Sequence, residues 1–193
     1  MKPILALFAT REGQTRRIAE HIAATLRAEG KAADVVDAAH LPKGFSPGAY
    51  SAAFLAASVH GGQHEKEMVQ FVKRHIEELN RIPTAFLSVS LSEAGAEDTK
   101  APQERRAQAV LDVRKMIEGF LVETGWHPTL VRAVAGALPY TKYNLLMRFI
   151  MKWISRRAGG DTDTSRDYEY TDWPALDALV EKLNSFKEGQ AVG

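Results

Sequence analysis

Residues 4–15 read Ile4-Leu5-Ala6-Leu7-Phe8-Ala9-Thr10-Arg11-Glu12-Gly13-Gln14-Thr15, and this stretch decides the fold. Six apolar residues without a polar interruption predict a strand buried on both faces. The next six combine one glycine with hydroxyl, amide and charged side chains. Beyond them Ile18, Ile22 and Leu26 recur at helical spacing, with Ala19 and Ala23 beside them, until Gly30 stops the pattern. A buried strand thus runs through a short polar loop into a core-facing helix. Unpaired N–H groups and the helix dipole at such a helix start favour an anion in the loop.

Two well-known phosphate loops do not fit these residues. The loop of nucleoside triphosphatases needs a lysine for the β- and γ-phosphates, and the dinucleotide loop needs three glycines for a pyrophosphate. Here there is one glycine and no such lysine. Thr10 and Thr15 hydroxyls, the Gln14 amide and several N–H groups suit a single dianionic monophosphate, such as that of flavin mononucleotide (FMN). The alternative reading of the same six residues is an ordinary strand-to-helix turn capped by Thr15.

The motif recurs along the chain. A weaker strand is predicted over Ala32–Val36 and a Pro/Gly-rich loop over Pro42–Gly48. The apolar run Ala52–Ala57 ends in Ser58-Val59-His60-Gly61-Gly62-Gln63, read as a second loop. A helix follows over Glu65–Asn80, with Met68, Phe71, Val72 and Ile76 inward. The strand Ala85–Val89 then leads into a third loop at Ser90–Gly95. A long helix over Pro102–Thr124 turns Ala109, Val113, Met116, Ile117, Phe120 and Leu121 inward and stops at Gly125, and a last strand spans Leu130–Leu138. Apolar strands alternating with helices imply a parallel sheet covered on both faces, which binds ligands at the carboxyl ends of its strands. All three loops follow strands, so one ligand can touch all of them.

The chain of 193 residues, 45% hydrophobic and 25% charged, is long enough for one domain with a full core. Residues 1–187 are read as that domain and 188–193 as a disordered tail. A net charge of +1 argues against a strongly charged partner surface, and no nucleic acid partner is expected. The absence of cysteine excludes disulfides, thiolate catalysis, iron–sulfur clusters and cysteine-bound zinc, so redox chemistry would need an organic cofactor or another metal. The short N-terminal apolar run, followed at once by Arg11 and Glu12, does not read as a signal peptide, and a cytoplasmic location is expected. Every long apolar window is broken by Lys or Arg before the roughly 18 residues a membrane span needs.

The strand, the loop Thr10–Thr15 and the helix resemble a flavodoxin-like domain. Further stretches narrow the likeness: Phe71-Val72-Lys73-Arg74-His75, Ala135-Gly136-Ala137-Leu138-Pro139-Tyr140, Gly159-Gly160-Asp161-Thr162-Asp163-Thr164 and Tyr170-Thr171-Asp172-Trp173. With these, Met1 to Asn184 resembles the bacterial quinone-dependent protoporphyrinogen oxidase family, of long-chain flavodoxin type. The resemblance implies a doubly wound five-stranded parallel sheet of order 2-1-3-4-5, helices on both faces, and a C-terminal extension with a basic amphipathic helix. It further implies FMN, the six-electron oxidation of protoporphyrinogen IX in heme synthesis, and menaquinone or ubiquinone at the inner-membrane surface as acceptor. A homo-oligomer is left open. By the same analogy Thr10, Arg11, Glu12, Gly13, Gln14 and Thr15 would cradle the phosphate. Ser58, Val59, His60, Gly61 and Gly62, with Ser90, Leu91, Ser92 and Gly95, would flank the isoalloxazine; no catalytic acid or base is implied.

Two loops depart from the family pattern. Val59-His60-Gly61-Gly62 stands where a basic residue, tyrosine and glycine are common. Ser92-Glu93-Ala94-Gly95-Ala96-Glu97-Asp98 is acidic where Lys and Arg are common, and would repel two propionates if it faced them.

Between Tyr140 and Gly160 lie Lys142, Arg148, Lys152, Arg156 and Arg157, with no acidic residue. Arg148, Lys152 and Arg156 form one helical stripe, and Tyr143, Met147, Ile150 and Ile154 another, with Phe149 and Trp153 at the boundary. Three roles fit this segment: docking on an anionic lipid surface, packing on the sheet with solvated cations, or holding substrate propionates. No metal site is expected. His60 and His64 lack helical geometry, and Asp161, Asp163 and Ser165 are followed by Arg166 and Asp172 where a calcium loop needs glycine and glutamate. Asp172 is instead read as a helix N-cap before Trp173-Pro174. The competing functions are an electron-carrier flavodoxin, an NAD(P)H:quinone reductase, and an interaction module without cofactor.

Overall fold

A computed structural model describes residues 2–142, 144, 145, 148, 149, 151, 152, 155 and 161–190. Its strands are β1 (Ile4–Ala9), β2 (Ala33–Asp37), β3 (Ala52–His60), β4 (Gln63–His64), β5 (Thr84–Ser90), β6 (Leu130–Ala135), β7 (Ala137–Leu138) and β8 (Tyr168–Glu169). The helices are α1 (Gln14–Ala28), α2 (Lys66–Leu79), α3 (Leu91–Glu97), α4 (Gln103–Thr124) and α5 (Trp173–Gln190). The long strands lie in the order β2-β1-β3-β5-β6 and pair in parallel. With the short β4 set aside, this is the expected 2-1-3-4-5 order.

Alternation along the central strands sends residues to two cores. Ile4, Ala6 and Phe8 of β1, with Phe54 of β3 and Leu87 of β5, pack under α1 and α5 through Ile18, Ile22, Leu26, Leu179 and Leu183. Leu5, Leu7 and Ala9, with Leu55 and Phe86, pack under α2 and α4 through Met68, Phe71, Val72 and Phe120. Both faces of β1 are therefore dry, and its six residues are all buried.

Several local expectations are corrected. β3 does not break at Ser58 but continues to His60. Gly61 and Gly62, both at positive φ (59° and 80°), make a two-residue hairpin turn that pairs Val59 with His64 and needs glycine-tolerant backbone at both central positions. The stretch from Leu91 through Gly95 is helical rather than a loop, because the Ser90 side chain accepts the Glu93 N–H at 3.1 Å and starts α3. The single strand expected over Leu130–Leu138 splits at Gly136, whose N–H donates to the Ser90 carbonyl at 3.0 Å. Beyond it, β7 pairs with β8 instead. Of the long helix's expected inward residues, Val113 and Phe120 are fully buried, whereas Ala109, Met116, Ile117 and Leu121 are half-buried. Asp172 accepts the Ala175 N–H at 3.0 Å, as an N-cap does. α5 runs to Gln190, into the segment expected as a tail, and 191–193 lie outside the described residues.

Candidate cofactor and substrate cavity

The carboxyl ends of β1, β3 and β5 open on one cavity of about 1140 Å³. Small-molecule sites usually measure about 300–1,000 Å³, so this one exceeds the needs of a single compact ligand. Thr10, Glu12, Gln14, Thr15, Ser58, Val59, His60, Gly61, Gly62, Ser90, Leu91 and Ser92 all line it, so the three predicted segments meet in one place. Arg11, Gly13 and Gly95 are not on its wall. Arg11 reaches out to Glu65 at 3.5 Å. Gly13 shapes the loop from behind at φ 94°, and a Cβ built on Gly95 would point at Ala109 of α4.

The phosphate loop is held from within. Gly13 donates its N–H to Thr10 Oγ1 at 3.0 Å. α1 has Gly13 as N-cap and no side-chain cap, so Thr15 is not the cap and the leading N–H groups of the helix remain for an anion. Thr15 is fully buried, and its hydroxyl has no hydrogen-bond partner. A buried hydroxyl left unpaired is costly, and a phosphate oxygen at the helix start satisfies it. The residues present therefore fit a monophosphate. Gln14 contributes backbone only: its Nε2 donates to Glu169 Oε1 and Thr171 Oγ1, both at 2.9 Å, and its Oε1 accepts from Arg17 at 3.1 Å. Together with the Arg17–Glu169 ion pair at 3.2 Å, this latches the loop to β8.

The hairpin between β3 and β4 carries two histidines in different settings. His60 lies half-buried on the cavity wall, with Nε2 3.4 Å from Glu65 Oε1. His64 is buried, its Nε2 2.9 Å from Ser88 Oγ and its ring against Phe86 and Phe120. Burial lowers its pKa to about 4, so it is neutral at pH 7. α3 borders the cavity only through Leu91 and Ser92 at its start; its acidic residues lie elsewhere. Glu93 and Glu97 line a separate pocket of about 540 Å³, and their pKa values are raised chiefly by burial.

Of the basic segment, Leu145, Arg148, Phe149, Met151, Lys152 and Ser155 are described and helical. Lys142 falls in the short 3₁₀ turn Tyr140–Lys142. Tyr143, Met147, Ile150, Trp153, Ile154, Arg156 and Arg157 lie outside the described residues. Arg148 donates from Nε to the Tyr140 carbonyl at 3.1 Å; Leu145 and Phe149 are 84% and 69% exposed; Met151 reaches the cavity wall. Neither Arg148 nor Lys152 lines the cavity.

Most of the wall residues that sequence reading missed come from α2 and α4, among them Lys66, Gln70, Lys73, Lys115, Met116 and Gly119, with others from β4, β7 and Met151. The helical spacing of those on α2 and α4 is visible in the sequence. What is not visible there is that the two helices lie side by side over the same face.

A parallel sheet of this order, with a single-glycine phosphate loop after β1 and two further segments flanking the same cavity, defines a flavodoxin-type domain, and the family model described as a flavodoxin domain matches residues 5–165. Two solved structures share the fold: a short-chain flavodoxin associated with a bacterial microcompartment (TM-score 0.52, 12% identity, 96% of this chain and 97% of that one) and the rubredoxin oxygen:oxidoreductase of Desulfovibrio gigas (0.51, 9%, 100% and 38%). The chain belongs to the family of the quinone-dependent protoporphyrinogen IX dehydrogenases. It is 36% identical over 169 residues to the protoporphyrinogen IX dehydrogenase (quinone) of Escherichia coli K12, covering 88% of this chain and 87% of the relative. It is 34% identical over 173 residues to the enzyme of that name from Leishmania major, covering 89% and 70%.

Proposed function

We propose that this chain oxidises protoporphyrinogen IX to protoporphyrin IX with bound FMN and passes the electrons to a quinone. The observation that carries the reading is the continuity of a monophosphate cradle with a cavity that extends beyond it between α2 and α4, in a chain related over nearly its whole length to dehydrogenases of that name. Bound flavin supplies hydride acceptance, two electrons per round, so the six-electron oxidation takes three rounds. The protein's part is positioning. The start of α1 and the Thr15 hydroxyl would hold the phosphate, and Val59–Gly62 and Ser90–Ser92, which line the same cavity, would bound the space for the ring system. His64, neutral through burial, keeps the wall beneath the cavity uncharged.

The enzyme works at the cytoplasmic face of the membrane as a peripheral protein. Support comes from exposed Leu145 and Phe149 beside Lys152, apolar and cationic groups together as a lipid surface requires. No helix among the described residues is long and apolar enough to cross a membrane. Vesicles containing anionic lipid should retain the protein, and Leu145→Glu/Phe149→Glu should release it.

The test of the reaction is anaerobic mixing of FMN-loaded protein with protoporphyrinogen IX, followed by menaquinone or ubiquinone. Bleaching of the flavin and its recovery on quinone addition are expected. Flavin that stays oxidised with porphyrinogen but is bleached by NAD(P)H would make the chain a general quinone reductase instead.

A further inference from the structure

We propose that the groove between α2 and α4 is the subsite for the tetrapyrrole, with Lys66 and Lys115 as anchors for its two carboxylates; this rests on the dehydrogenase reading above. The phosphate loop occupies one end of the cavity. The other end runs between the two helices, with Val69, Met116 and Phe120 supplying apolar surface and lysines at the rim. A flat apolar ring system with two carboxylates on one edge matches that distribution.

The charges around the groove are not equally available. Lys73 is committed to Glu123 at 2.8 Å, and Asp112 accepts from Gln108 at 2.9 Å. Lys66 has its nearest carboxylate, Glu67, only at 3.9 Å, and Lys115 makes no ion pair among the described residues. These two ammonium groups are the cavity's uncommitted cations. The strongest objection from the sequence, repulsion by the acidic third segment, is removed because Glu93 and Glu97 line the other pocket. The basic stripe is the weaker candidate for the same carboxylates, because Arg148 donates to the Tyr140 carbonyl and Lys152 is not on the cavity wall.

Gly119 is a second, independent sign. It sits inside α4, where glycine costs about 1 kcal/mol relative to alanine. A Cβ built there meets nothing within 4 Å, so no protein atom demands the vacancy. The gap lies on the groove wall, where a ligand ring can approach the helix backbone closely.

The experiment compares protoporphyrinogen IX with its dimethyl ester as reductants of FMN-loaded protein, and measures binding of protoporphyrin IX by fluorescence. For Lys66→Glu/Lys115→Glu, half-saturation by the diacid should rise about tenfold or more, one ion pair's worth, while the ester changes less than about twofold. Retained FMN checks folding, and Lys43→Glu, away from the cavity, serves as the charge control. Gly119→Phe should weaken acid and ester alike. Equal loss of acid and ester in the lysine variant, an unchanged diacid, or a Gly119→Phe variant with normal binding each overturns the assignment. If wild-type protein binds protoporphyrin with this lysine dependence but porphyrinogen leaves its flavin oxidised, the dehydrogenase reading fails and the subsite stands. If it does neither, both fall.

Discussion

The two ends of the cavity are made of different materials. At the phosphate end the donors are backbone N–H groups and one fully buried hydroxyl, and the loop is tied down by Gly13 to Thr10 and by Gln14 to β8. At the groove end the polar groups sit at the tips of long, exposed side chains, Lys66 and Lys115, above thioether and aromatic surface. Preorganised donors suit a group that binds once and stays, since little ordering is left to do on binding. Flexible point charges suit a ligand that changes shape and leaves. Cofactor and substrate thus ask for opposite rigidity, and the fold supplies both within one cavity.

The largest expected effect is on acid stability, and it comes from the histidine whose ring packs against Phe120 of the groove wall. His64 has a folded pKa of about 4 against 6.5 for the free side chain. Well above pH 6.5 neither state binds its proton. As pH falls from 6.5 toward 4, the unfolded chain takes up a proton that the folded one refuses, and stability drops by up to about 3 kcal/mol. Urea midpoints measured at pH 7.5 and 4.5 should show this loss, and His64→Gln should flatten it. An equal loss in the variant would mean that other groups carry the acid sensitivity.

The next largest effect belongs to the phosphate end. Thr15→Val removes a hydroxyl without changing shape, and a hydrogen bond to a charged group is worth about 1.5–3 kcal/mol. FMN affinity of the apoprotein should fall roughly 10- to 100-fold in a fluorescence titration. The apoprotein should melt no lower than wild type, because the lost hydroxyl had no partner. Opposite signs for binding and stability are the signature; unchanged affinity would put the phosphate elsewhere.

How much of this was legible in advance follows the range of the interactions involved. The apolar runs of β1 and β3, the helix stop at Gly125 and the Asp172 cap are local, and local pattern was enough for them. The hairpin at Gly61-Gly62 is also written in the sequence as two adjacent glycines, but β4 is only two residues long, too short to show a strand pattern. Long-range contacts stayed hidden. The split at Gly136 depends on the Ser90 carbonyl, Gln14 is drawn away from the phosphate by Glu169 and Thr171, and the lysine groove exists only because α2 and α4 lie side by side. The acidic third segment looked hostile to carboxylates for the same reason: its composition is local, and its direction is not.

The smallest predicted effect asks whether the two ends are independent. β8 belongs to the segment after Gly136 that also carries Met151 to the cavity wall, and it touches the phosphate loop through Glu169. Glu169→Ala removes a hydrogen bond to Gln14 and an ion pair to Arg17 whose side chains are 54% and 33% exposed, so the loss should be modest, about 1 kcal/mol. FMN affinity should weaken about three- to fivefold. Gln14→Ala on its own should cost a similar amount, and the double variant little more than either, because both remove one shared contact. If the two losses instead add, Glu169 and Gln14 act separately, the latch is two unrelated surface contacts, and the segment that carries Met151 to the cavity wall has no hold on the phosphate loop.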